Sequence, residues 1–107
     1  MNKVILTGNI GTDVKIYGEE KSLVARCTLA TDEWNGETTE TVWHSLVGFG
    51  KIAEQAKQVF HKGTRVLVIG RLRYSEYEGK QQTDIVVQEI EVQKFSESAI
   101  AKSDNQK

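Results

Sequence analysis

The stretch Thr41-Val42-Trp43-His44-Ser45-Leu46-Val47-Gly48-Phe49-Gly50-Lys51 alternates like a half-buried strand and then enters a helical pattern at Lys51. Side chains six apart on a strand share a face, so Trp43 and Phe49 are expected to point the same way. Flat rings on one sheet face, with a lysine at the exit, suit bases that stack while a cation holds the phosphate backbone. The rival reading is that both rings fill a core, the ordinary fate of aromatic residues on an arbitrary strand.

The charge pattern favours the first reading. Formal net charge is -1, so the overall balance selects no partner. From Thr41 to Ser75, however, the basic residues Lys51, Lys57, Lys62, Arg65, Arg71 and Arg73 face a single acid, Glu54. The acids gather elsewhere, in Glu19-Glu20, Asp32-Glu33, Glu37, Glu40 and the last third. A basic middle in a near-neutral chain is a local electrostatic footprint.

Composition limits the alternatives. The 107 residues suffice for one small domain with one core, and 38% hydrophobic with 27% charged residues is ordinary for a soluble fold. Cys27 is the lone cysteine, which excludes an intrachain disulfide, and no Cys/His set has zinc spacing. No metal or cofactor is expected, and Cys27 reads as a small buried thiol. No apolar run reaches the length of a membrane span, and the first strand begins almost at Met1, which leaves no room for a leader. A cytoplasmic location is expected. No nucleophile, base and orienter assemble in the sequence, so catalysis is not expected.

The elements that must position the rings follow from periodicity. Residues 2–8 read as a strand. Residues 11–18 read as a bend with a short extended piece at 14–16. Residues 22–31 form a second strand with Leu23, Ala25, Cys27 and Leu29 on one face. Asn35-Gly36 is a tight-turn signal, and the charges at 33–40 suggest a longer hairpin arm in water. Residues 41–49 are the third strand. Ile52, Ala53, Ala56, Val59 and Phe60 fall at helical spacing, predicting a helix over 51–62 capped by Gly63. Residues 64–77 and 82–95 are the last strands. Bulges are expected at Gly70 and after Val87, where the apolar phase shifts. Residues 96–107 are polar and expected to be a frayed, disordered tail, leaving 1–95 as the domain. Five strands with one helix between the third and fourth is the order of the OB-fold, an all-β Greek-key barrel with small α content that binds oligonucleotides on the face of strands two and three.

Several segments then match a known pattern: Asn2-Lys3-Val4-Ile5-Leu6-Thr7-Gly8-Asn9-Ile10-Gly11, Leu29-Ala30-Thr31, Trp43-His44, Phe49-Gly50-Lys51, Lys62-Gly63 and Gly70-Arg71-Leu72-Arg73. In order and spacing they make residues 1–95 resemble the bacterial single-stranded DNA-binding (SSB) family. The resemblance implies a non-enzymatic OB-fold that assembles, usually as a homotetramer built as a dimer of dimers, and wraps single-stranded DNA without sequence preference in replication, recombination and repair. A nucleoid-associated place in the cell follows. It implies base contacts at Trp34, Trp43, Phe49 and Tyr77. Phe60 stands near the DNA path in the family, although it also continues the helix's apolar stripe. Lys51, Lys62 and Arg73 match phosphate-facing positions, and Arg71 shares a strand face with Arg73. His44 matches a histidine associated with assembly. The strand containing Lys3, Val4, Ile5 and Leu6 is expected at a subunit interface, because it is apolar on both faces, with Val4 and Leu6 opposite Ile5.

The departures have consequences. Tyr77 replaces a common tryptophan, Phe60 a common tyrosine, and Ser45 a commonly basic residue; His61, Ser75 and Glu76 stand where the family often carries positive or strongly polar residues. Fewer cations imply weaker or more salt-sensitive wrapping. The family's long linker and acidic tip are not seen before Asn105-Gln106-Lys107, so a tailless or truncated member, with weak or absent tail-mediated recruitment of partners, is the expectation. Two other readings stay open: an SSB-like accessory protein of replication restart, and a barrel interaction module without nucleic-acid binding.

Overall fold

The structure is a computed structural model that describes residues 1–94, with the side chains of Glu20 and Tyr77 left out. Strands β1 (Val4–Ile10), β2 (Lys15–Tyr17), β3 (Val24–Trp34) and β4 (Thr39–Phe49) precede helix α1 (Lys51–Val59), and β5 (Arg65–Tyr77) and β6 (Lys80–Lys94) follow it. The strands hydrogen-bond in the order β1-β5-β6-β4-β3-β2, and a further β1–β3 pairing at Asn9↔Ala30 and Ile10↔Leu29 closes β1, β5, β6, β4 and β3 into a barrel. The five-stranded barrel with one helix expected from the sequence is present. The short extended piece becomes β2, added antiparallel to the edge of β3.

Alternation drives the closure. Ala25, Cys27 and Leu29 of β3, Leu46 of β4, and Val66 and Val68 of β5 are buried in the barrel, while their neighbours face outward. Ile10, Ile85 and Val87 complete the strand contribution, and Ala53, Ala56 and Phe60 plug one end. Each large aliphatic residue buried this way contributes about 1.5–3 kcal/mol.

The two expected bulge positions, Gly70 and the residue after Val87, prove to be the two sides of one irregularity. The β5–β6 register slips between Ile69 and Gly70, so Gly70 faces Val87 and Gln88 is the extra residue. A side chain at Gly70 would collide with the Val86 carbonyl, so the close strand approach there requires glycine. A second slip lies between Arg65 and Val66.

The helix ends earlier than its periodicity suggests. Phe60 leaves the helical path at φ -86, ψ 83. The chain then turns through His61–Thr64, closed by the Thr64 amide donating to the His61 carbonyl, with Gly63 at φ 91. Gly63 therefore serves a turn rather than the helix end. The hairpin arm is longer as strand than predicted, running to Trp34 and from Thr39. The Asn35 side-chain oxygen accepts the amides of Glu37 and Thr38 at 2.9 Å each and so builds the turn. The predicted tail at 96–107 lies outside the described residues.

Candidate nucleic-acid interface

The β3–β4 ladder runs without irregularity from Val24↔Phe49 to Trp34↔Thr39. Directly opposed residues share a face. The outward face therefore carries Val24, Arg26, Thr28, Ala30, Asp32 and Trp34 from β3, with Phe49, Val47, Ser45, Trp43, Thr41 and Thr39 from β4. Trp34, Trp43 and Phe49 are 68%, 62% and 43% exposed on that face, well outside core values. At the usual strand rise of about 3.3 Å per residue, Trp34 and Trp43 stand about 13 Å apart along the ribbon, and Trp43 and Phe49 about 20 Å. The rings form a spaced row, not a cluster, and leave room for a chain of planar groups between them.

Trp43 rests on the backbone. Its ring covers Gly11, just past the end of β1, where an added Cβ would strike ring atoms Cζ3 and Cε3 and lie 2.9 Å from Thr28 Oγ1. One ring face is thus supported while the residue remains largely exposed.

Four strands build a polar centre between the rings. Asp84 of β6 is 1% exposed although it lies on this outward face. Its Oδ1 accepts Ser45 Oγ at 2.8 Å and Gln82 Nε2 at 3.3 Å, and stands 3.6 Å from Arg26 Nη1. Its Oδ2 lies 3.5 Å from Arg73 Nη2. The Arg73 guanidinium sits 5.4 Å from the Phe49 ring centroid, in cation–π range. Val47 and Val86, outward by alternation, are buried beneath this centre. Ser45, a departure from the family pattern, thus supplies a short hydrogen bond to the carboxylate.

Other cations flank the face. Arg71 is exposed on β5, two residues from Arg73. Lys51 is exposed at the start of α1, two residues beyond Phe49. Lys62 is exposed, and its amide donates to Asp13 Oδ1 at 2.9 Å, which anchors it beside the segment under Trp43. Tyr77 ends β5 in register with Lys80, and its side chain lies outside the described residues. Among the described residues no group of three or more His, Cys, Asp or Glu gathers as a metal site.

The family model described as the Single-strand binding protein family matches residues 1–97. The chain belongs to that family. A curated single-stranded DNA-binding protein of Xanthomonas campestris pv. campestris is 39% identical over 103 residues, and its counterpart in Xanthomonas axonopodis pv. citri is 41% identical over 105. Each match covers 86% of this chain but only 60% and 57% of those relatives, so the chain spans under two thirds of their length. The structure of Plasmodium falciparum SSB in complex with ssDNA matches with a TM-score of 0.74 at 28% identity, covering 86% of this chain and 94% of that one.

Within this single-strand binding fold, one expected contact is corrected. Phe60 is 2% exposed and belongs to the core cluster, so it is not available to a base. The helical stripe governs its placement: the backbone turns at Phe60 and seats the ring in the end of the barrel. Arg73 stands 3.5 Å from Asp84 and 5.4 Å from the Phe49 centroid, with a third of its side chain exposed.

Two members of the interface went unread in the sequence. Arg26 alternates with the inward Ala25 and Cys27, so its outward position was readable from that pattern. Asp84 stands out only as an acid leading the apolar run Ile85-Val86-Val87. The residues expected at a subunit interface divide as follows. Val4 and Leu6 pack against the core, Lys3 is exposed, and Ile5 is 59% exposed on the opposite side. His44 is half-buried, its Nε2 at 2.9 Å from Thr31 Oγ1.

Proposed function

We propose that this domain binds single-stranded DNA without sequence preference, as a protective and organising coat rather than as a catalyst, in replication, recombination and repair. The observation that carries the reading is the row of Trp34, Trp43 and Phe49, exposed on one uninterrupted ladder face. Exposed rings are costly in water and find their counterpart in unpaired bases, each stacking contact being worth about 1–3 kcal/mol. Lys51, Lys62 and Arg71 track the phosphates from the rim. Membership of the single-strand binding family and the likeness to an SSB known in complex with ssDNA support the same ligand. A nucleoid-associated location follows from it.

The working form is a homotetramer, a dimer of dimers. β1 pairs with β5 along its length but with β3 only at Asn9 and Ile10, so the edge at residues 4–7 has no strand partner among the described residues. Beside that edge Ile5 is exposed. An open edge next to an apolar side chain is a template for a second copy. Lys3, Val4, Ile5 and Leu6 are assigned to assembly on this basis, and His44 by the family resemblance alone.

Tryptophan fluorescence tests the ligand. Titration with poly(dT) is expected to quench emission, because stacking reaches Trp34 and Trp43, and a blunt duplex of equal length should compete poorly. No quenching, or equal competition by duplex, refutes the reading.

A further inference from the structure

The Asp84 carboxylate is an unexpected group at the centre of a face that meets a polyanion. It is 1% exposed, carries a charge the ligand repels, and sits between two arginines whose side chains are 38% and 33% exposed. A buried carboxylate persists only when paired and hydrogen-bonded. β3 supplies Arg26, β4 supplies Ser45, β5 supplies Arg73, and Gln82 comes from β6 itself. A neutral residue there would leave both guanidiniums free for phosphate. With Asp84 the cluster carries a formal +1 instead of +2.

The geometry also fixes where Arg73 goes. Asp84 stands opposite it in the β5–β6 ladder, and the guanidinium is drawn to 5.4 Å from the Phe49 centroid. A guanidinium held against a ring is part of a flat surface suited to a base. Arg73 Nε is buried without a hydrogen-bond partner, so carboxylate and ring, not a full fork of hydrogen bonds, position the group.

We infer that Asp84 is a positioning residue that sets specificity: it diverts Arg26 and Arg73 from phosphates and presents them, with Phe49, to bases. The inference rests on the proposal that this face binds single-stranded DNA. Duplex offers phosphates but hides its base faces, so diverting these arginines raises the preference for single strands. Lys51, Lys62 and Arg71 are left as the phosphate contacts.

The test measures poly(dT) affinity against salt, and competition by a blunt duplex, for the wild type, R26Q, D84N and the double variant, with thermal melting to confirm folding. With Asp84 in place, R26Q is expected to leave the slope of log K against log salt almost unchanged. D84N should steepen the slope by about 0.7 for each arginine released to a phosphate. The single-strand preference should also fall severalfold. In the D84N background, R26Q should remove about 0.7 again. A folded D84N protein with wild-type slope and wild-type preference overturns the inference. If D84N does not fold, R26Q decides: an unchanged slope supports the diversion, and a loss of about 0.7 overturns it. A wild-type protein that fails to prefer poly(dT) over duplex instead strikes the functional proposal itself, so the two failures are distinct.

Discussion

The ring of Trp43 lies over Gly11, and the missing side chain of Gly11 is what gives the ring its seat. A Cβ there would overlap ring atoms and crowd Thr28 Oγ1 at 2.9 Å. One face of the indole is held by backbone and the other is left for a ligand. A ring fixed in advance loses less entropy on stacking than one that must be ordered by the ligand.

Gly11→Ala should therefore act on the ring rather than on the fold. The methyl group displaces the indole, so affinity for poly(dT) is expected to drop severalfold while the melting temperature changes little. In the W43A background the same substitution should have almost no further effect, because its target is gone. Full additivity of the two losses would contradict the account.

Rings and cations predict different salt behaviour. Trp43→Ala should weaken poly(dT) binding by about 1–3 kcal/mol at every salt concentration, because stacking is not ionic. Lys62→Gln should reduce the slope of log K against log salt by about 0.7, the value for one phosphate contact on a single strand. Titrations at several salt concentrations check both, and an unchanged Lys62→Gln slope removes Lys62 from the phosphate path.

Much of this architecture was legible because strand periodicity is a local signal. Ala25, Cys27 and Leu29 mark the inner face of β3, with Leu23 just before it, and the spacing of Trp43 and Phe49 put both rings on one face of β4. Gly70 and the phase change after Val87 gave the bulge, which the register places at Gly70↔Val87. The centre of the face was not legible, because Arg26, Ser45, Arg73 and Asp84 come from four strands and meet only through barrel closure. Phe60 illustrates conflicting signals. The helical stripe pointed inward and the family resemblance outward, and the packing of the barrel end decided for the stripe.

That placement makes Phe60 a stability residue. Phe60→Ala opens a cavity beneath α1 and should cost about 3–5 kcal/mol of unfolding free energy. The folded fraction should bind poly(dT) with an affinity within about twofold of wild type, since uncoupled sites are additive. Urea unfolding and binding of the same sample check the pair. A large affinity loss with unchanged stability would return Phe60 to the interface.

Cys27 predicts a pH dependence. The thiol is buried in the barrel, and desolvation pushes its pKa from 9.0 up to about 12. Between those values the unfolded chain has lost the proton that the native chain keeps, so the unfolded state binds fewer protons and stability falls as pH rises. The full one-proton slope is about 1.4 kcal/mol per pH unit, approached well inside that window. Urea midpoints measured across it should decline more steeply for wild type than for C27S, whose hydroxyl does not titrate there. Parallel curves would mean that the thiol is hydrated.

Assembly supplies the last prediction. Ile5 is 59% exposed on a strand whose neighbours Val4 and Leu6 already pack inward, so its side chain gives the single chain little. In the proposed assembly it lies where β1 of one copy meets β1 of another, along the edge β3 leaves open at residues 4–7. Ile5→Asp puts a charge into that contact, where burial without a partner is strongly unfavourable. Light scattering at micromolar concentration should give a tetramer for wild type and a smaller species for the variant. Melting of the variant should remain cooperative, because the barrel core is untouched. A wild-type monomer, or a variant tetramer indistinguishable from wild type, would place the interface elsewhere or remove it.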